Sequence, residues 1–180
     1  MSNGSSLQFN GVVVAPGTNV YIDIPVTQLY THAPVTIPVH VIHSKRPGPR
    51  LFVSGAVHGD EINGVEIIRR ILKLPALKRL RGTLIAVPIV NVHGFINHSR
   101  YLPDRRDLNR SFPGSETGSL TARVANIFER VIQINAKGQA QAHPYDPQAN
   151  QHDHSNSQYP GYSFSSDIQQ ITLFYNCQMP

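Results

Sequence analysis

The sequence predicts an α/β domain built on a mixed, partly parallel sheet with flanking helices, preceded by short antiparallel strands. Three observations carry that prediction. Leu51–Val57 and Thr83–Val90 are short, almost continuously apolar runs of the kind found in strands covered on both faces. Between them, Asp60–Leu74 has helical apolar spacing. Ahead of them, from Val12 to His43, β-branched residues alternate with polar ones between turn residues. A chain of 180 residues suits one globular core.

In chain order, Val20–Pro25 and Val35–Ile42 read as antiparallel strands. Pro25 and Pro38 cannot donate a ladder hydrogen bond, so each strand is expected at an edge or is limited in length. Lys45–Pro49 is a loop. Leu51–Val57, Asp60–Leu74 and Thr83–Val90 then form a strand–helix–strand unit with the two strands adjacent and parallel. On the helix, Ile62, Val65, Ile68, Ile71 and Leu72 make one apolar stripe, and Arg69, Arg70 and Lys73 complement the C-terminal end of the dipole. Pro75 ends it. A long polar loop is expected from Asn91 to Gly118, then an amphipathic helix over Leu120–Ile134 carrying Val124, Ile127, Phe128 and Val131.

From about Asn135 the composition shifts to Gln, Asn, His, Ser, Tyr and Pro, with no clear period before Ile171–Tyr175. The expected organisation is therefore an N-terminal β extension over 1–50, an α/β core over 51–134, and an atypical, disordered tail over 135–180.

The net charge is +5, from 16 Lys and Arg against 11 Asp and Glu. All but one of the 16 lie within the first 130 residues, and there is no basic tail. The arginines that do cluster, Arg100, Arg105, Arg106 and Arg110, suit a small anion, and no nucleic-acid partner is expected. Every hydrophobic run is interrupted well short of a bilayer span, so no membrane partner is expected either. The polar N-terminus lacks the pattern of a secretory signal, which predicts a cytoplasmic protein. Cys177 is the single cysteine, leaving histidine and carboxylate to supply any metal chemistry.

The chemistry concentrates in two segments. Ser54–Gly64 joins the first buried strand to its helix, where open α/β sheets place their sites. Within it, His58 and Glu61 offer an imidazole nitrogen and a carboxylate oxygen that one turn can bring together, a donor pair well suited to zinc. The competing reading is that Asp60 or Glu61 merely complements the helix dipole. The second segment, Asn91–Gly114, offers guanidinium groups for bidentate capture of a carboxylate and the amide of Asn109 for a further hydrogen bond. Its competing reading is a solvated basic loop. Asp107 is expected to orient Arg110 or the loop backbone.

Gly55–Gly64, Asn91, Ser99–Tyr101 and Asp107–Gly114, taken in that order and spacing, resemble the succinylglutamate desuccinylase and aspartoacylase family of the wider zinc carboxypeptidase superfamily. The resemblance covers roughly Val12 to Val131. It implies a zinc carboxypeptidase-like sheet, here incomplete, and one catalytic zinc held by His58 and Glu61. Arg100, Asn109 and Arg110 would then bind a small acidic N-acyl amino acid, through its carboxylate or its amide carbonyl. The resemblance implies a deacylase; a carboxypeptidase-like peptidase and an inactive or anion-binding remnant are the rival readings.

The family's second histidine ligand, in an Asp-Leu-His strand end, has no counterpart in 135–180. His143, His152 and His154 are the available substitutes. The general-base glutamate is also missing from the pattern, since Glu129 is the last glutamate in the chain. No catalytic residue is therefore identified, and activity is expected to be impaired. Oligomeric state is not readable from the sequence.

Overall fold

A computed structural model describes residues 6–29, 31–136 and 171–176. Its main sheet has five strands: β3 (Thr18–Gln28), β4 (Pro34–His43), β5 (Arg50–Gly55), β6 (Thr83–Val87) and β7 (Ile171–Asn176). Their order across the sheet is β3-β4-β6-β5-β7. The expected parallel pair is present, with Leu51 opposite Leu84 and Val53 opposite Ala86, while the β3–β4, β4–β6 and β5–β7 pairs are antiparallel. A separate hairpin, β1 (Leu7–Phe9) with β2 (Val12–Val14), buries Phe9 and Val14 against the same core.

The two prolines sit where a missing donor does least harm. Pro25 lies on the edge strand β3, beside the bulge between Pro25 and Thr27. β4 is an inner strand, yet β6 pairs only with His40–His43, so Pro38 lies in the half of β4 that has β3 alone as its partner.

Residue parity divides the core into two layers. Phe52, Ile85 and Val87 face helix α3 (Leu120–Ala136), which inserts Val124, Ala125, Phe128 and Val131. The Phe128 ring lies 5.9 Å from those of both Phe52 and Phe112. Val53, Leu84 and Ala86 point the other way, to Ile68 of α1 (Asn63–Ile71) and to Leu77 and Leu80 of a short 3₁₀ turn. Burying each such side chain contributes about 1.5–3 kcal/mol before conformational entropy is counted.

The structure corrects several expectations. α1 is shorter than the predicted helix because residues 58–62 are taken up by tight turns, with Glu61 N–H donating to His58 O and Ile62 N–H to Asp60 O. Ile62 consequently leaves the apolar stripe and is 49% exposed. The segment Asn91–Gly118 is not all loop. It contains α2 (Val92–Asn97), capped by Asn91, whose side chain accepts from Gly94 N–H at 2.8 Å. Val92-His-Gly-Phe-Ile-Asn97 is rich in poor helix formers, so the cap and not propensity carried the signal. Within the expected irregular tail, Asn135 and Ala136 close α3 and Ile171–Asn176 is a strand. Ile171–Tyr175 is β-branched and aromatic, and it pairs along the open edge of β5. The rest of 135–180, with His143, His152 and His154, lies outside the described residues.

Candidate metal and carboxylate site

At the C-terminal end of β5 the backbone leaves the sheet through Ala56, which is fully buried with φ +48°. That unfavourable conformation is held by the segment after β6, where Val90 N–H donates to Gly55 O and Asn91 N–H to Ala56 O. The following turn is pinned from above by α2. Gly59 N–H donates to Ser99 O at 3.0 Å, and a Cβ on Gly59 would fall 1.9 Å from the carbonyl carbon of Gly94. Glycine is required here by close approach.

That turn presents His58 and Glu61 to each other, with His58 Nδ1 2.7 Å from Glu61 Oε1. On the other side of the ring, His58 Nε2 is 3.0 Å from Asp107 Oδ1. The His58 side chain is 8% exposed and that of Asp107 11%. Each ring nitrogen of His58 thus has its own carboxylate partner, Glu61 at Nδ1 and Asp107 at Nε2. An imidazole nitrogen and a carboxylate oxygen are donor types that zinc takes, and here the two lie at hydrogen-bond distance from each other. Among the described residues no group of three or more His, Cys, Asp or Glu converges on one point.

Asp107 fills one of the two roles expected of it, that towards the loop backbone, and takes partners beyond Arg110. Burial alone would raise its carboxyl, but hydrogen bonding and charge from His58, hydrogen bonds from Arg100 and the Asn109 N–H hold it below the ordinary carboxylate value. Its closest guanidinium is that of Arg100, whose Nε and Nη2 lie 3.2 and 3.1 Å from Oδ2. Arg110 approaches the same oxygen only to 3.9 Å, and its side chain is 85% exposed. The loop-backbone role does hold, through Asn109 N–H at 2.9 Å. Arg100 Nη1 also lies 3.9 Å from Glu61 Oε1. All five sequence-selected residues thus gather around one carboxylate: His58 and Arg100 bond it directly, Glu61 follows through His58, and Asn109 and Arg110 are set at the exposed rim.

Sequence reasoning did not find one pairing and one further position. The pairing of His58 with Asp107 joins residues 49 apart and leaves no local trace. Asp104 reaches across to the start of α3, accepting from the Thr121 N–H at 2.8 Å and from the Thr121 hydroxyl. It adds to the local cap from Ser119, whose hydroxyl accepts from the Ala122 N–H at 3.2 Å, and being supplied from a distant loop it leaves no local sequence pattern of its own.

Residues 47–146 match the succinylglutamate desuccinylase/aspartoacylase catalytic domain. The N-alpha-acetyl-L-2,4-diaminobutyric acid deacetylase of Halomonas elongata is 35% identical over 99 residues, spanning 54% of this chain and 29% of that protein. The product-bound structure of the ectoine utilization protein EutE (DoeB) from Ruegeria pomeroyi superposes with a TM-score of 0.56 at 32% identity, covering 65% of this chain and 36% of that one. A succinylglutamate desuccinylase/aspartoacylase from Rhodobacter sphaeroides gives 0.59 at 28%, covering 72% and 40%. The chain therefore spans well under half the length of these relatives. With more than half of its residues matched, and with the mixed sheet those structures share, the chain belongs to the succinylglutamate desuccinylase/aspartoacylase catalytic-domain family.

Proposed function

We propose that this chain supplies the front part of a zinc-dependent site that hydrolyses the amide bond of small N-acyl amino acids in the cytoplasm. The observation that carries the reading is the approach of His58 Nδ1 and Glu61 Oε1 to 2.7 Å on a turn pinned at Gly59, with Asp107 on the far ring nitrogen. His58 and Glu61 hold the metal, and Asp107 orients His58. Zinc, when bound, supplies Lewis-acid polarisation and a water of lowered pKa. Arg100, Asn109 and Arg110 hold the substrate.

Acylation removes the charge of the α-amine, so an N-acyl amino acid presents its carboxylate as an anion whatever its side chain. Guanidinium and amide donors recognise that common feature. The family name and the relative named for acetyl-diaminobutyrate support an N-acyl amino acid as the substrate class. Among the described residues no helix is long and apolar enough to cross a membrane.

With two converging donors among the described residues where catalytic zinc usually has three, and with no glutamate after Glu129, the 180-residue chain by itself is impaired in turnover. The test assays purified, zinc-supplemented protein on N-acetyl-aspartate, N-succinyl-glutamate, N-acetyl-diaminobutyrate and short peptides, beside Glu61→Ala. Slow release of amino acid from the acyl substrates, lost in Glu61→Ala, supports the reading. Preferential cleavage of peptides would replace it with a carboxypeptidase-like one, and robust Glu61-dependent turnover would overturn the impairment.

A further inference from the structure

We propose that the cleft between α3 and the bulge of the edge strand β3 is a second binding site, one that takes a small monocarboxylate with a short alkyl body. None of the residues gathered around His58 lines it, so it does not depend on the metal assignment.

The cleft follows from the sequence of α3. Arg123, Asn126, Ile127 and Arg130 recur at the spacing of one helix stripe, beside the stripe of Val124, Phe128 and Val131 that enters the core. Facing them is Val26, the extra residue where β3 bulges, since Pro25 pairs with Thr36 and Thr27 with Val35. Bulges commonly re-aim a side chain beside a site. Glu116, from the loop ahead of α3, completes the lining of a cleft of about 310 Å³. That is room for a small ligand.

Its chemistry is that of an anion site with an apolar floor. Val26 and Ile127 are partly buried and pack against the core. Above them two guanidiniums meet one carboxylate, and Glu129, the single acid on α3, does not line the cleft. The Glu116 carboxylate is already engaged, with Arg130 Nη1 3.4 Å from its Oε1. Arg123 is exposed, and its guanidinium makes no hydrogen bond or ion pair among the described residues.

Asn126 adds a direction. Its Oδ1 is shut from solvent and has no hydrogen-bond partner among the described residues. An unpaired buried acceptor costs stability. With Oδ1 turned inward, the amide nitrogen is the polar atom that Asn126 offers to the cleft, and it is a donor only. A carboxylate therefore finds a bidentate fork on Arg123 and a further N–H on Asn126. The surplus of one positive charge among the lining side chains suits a monoanion, and the floor of Val26 and Ile127 takes its alkyl carbons. The acid released from a short N-acyl group belongs to this class, but the site stands without that reaction.

The test titrates n-butyrate into the 180-residue chain by NMR, read at the Asn126 side-chain amide, with n-butylamine and inorganic phosphate as comparators. Thermal melts establish that each variant is folded. Butyrate is expected to shift the Asn126 resonances saturably, butylamine to leave them in place, and phosphate to bind more weakly than butyrate. Arg123→Gln is expected to weaken butyrate about tenfold or more. Glu116→Gln releases Arg130 and removes the carboxylate, and is expected to tighten butyrate several-fold. Arg100→Gln, at the site around His58, is expected to leave the Asn126 response unchanged, so failure of the hydrolase reading does not touch this readout. An Asn126 amide that ignores butyrate, or a response equal in Arg123→Gln and wild type, would overturn the proposal. So would phosphate binding tighter than butyrate, or loss of the response in Arg100→Gln.

Discussion

The two segments that build the site are held in opposite ways. The turn after β5 is positioned by backbone packing: Gly59 lies so close to Gly94 that no side chain fits, and Val90 and Asn91 clamp Gly55 and Ala56. The segment from Ser99 to Thr121 is positioned by two carboxylates. Asp107 ties Arg100, His58 and the Asn109 backbone, and Asp104 ties the start of α3. The difference teaches where precision is needed. His58 and Glu61, the proposed metal pair, ride on a turn fixed by close contact, as a site of exact geometry requires. Asn109 and Arg110, proposed to hold the substrate, stand exposed at the rim.

The contrast breaks most readily at Gly59. A Cβ there would land 1.9 Å from the Gly94 carbonyl carbon, and backbone cannot swing aside as a flexible side chain would. Gly59→Ala is expected to destabilise the fold by about 3 kcal/mol or more, read as a shift of the denaturant midpoint. A loss within experimental error would mean that α2 is not clamped on the turn.

The carboxylate-held segment should fail more gently. Asp107→Ala strips His58 Nε2 and Arg100 of their partner. Zinc affinity is expected to fall about 10- to 100-fold by calorimetric titration. Unchanged affinity would deny Asp107 its orienting role.

Asp104→Ala removes the carboxylate that supports the start of α3 beside the Ser119 cap, and is expected to cost about 1–2 kcal/mol with little change in zinc affinity. Its pH dependence has a definite sign. Burial would raise the Asp104 carboxyl, but hydrogen bonds from the Thr121 hydroxyl and N–H, the Arg106 N–H and Ser119 hold it below the ordinary value. A carboxyl depressed on folding contributes stability that is complete above its unfolded pKa of about 4 and is lost as pH falls through the lower folded value. The wild-type stability curve should therefore drop more steeply than that of Asp104→Ala below about pH 4. Parallel acid limbs would remove Asp104 from the account.

What the sequence made legible follows the same division. Leu51–Val57 and Thr83–Val90 announced their pairing because strands covered on both faces must be apolar throughout, and His58 and Glu61 were visible because one turn spans them. Asp107 was expected to orient Arg110 or the loop backbone; it does accept from the Asn109 N–H, but its close side-chain partners, His58 and Arg100, are brought to it by the fold. α2 was read as loop because its stability comes from the Asn91 cap and contact with Gly59, which helical periodicity does not register. The strand Ile171–Asn176 was absorbed into a polar tail because its partner, β5, lies more than a hundred residues earlier in the chain.

The central claim is that His58 and Glu61 form a metal-binding pair, and zinc titration of wild type beside His58→Ala and Glu61→Gln tests it most directly. Two protein ligands fall short of the three usual for catalytic zinc, so the account predicts weak, saturable binding by the 180-residue chain that is lost in both variants. Tight stoichiometric binding that survives His58→Ala unchanged would place the metal elsewhere and contradict it.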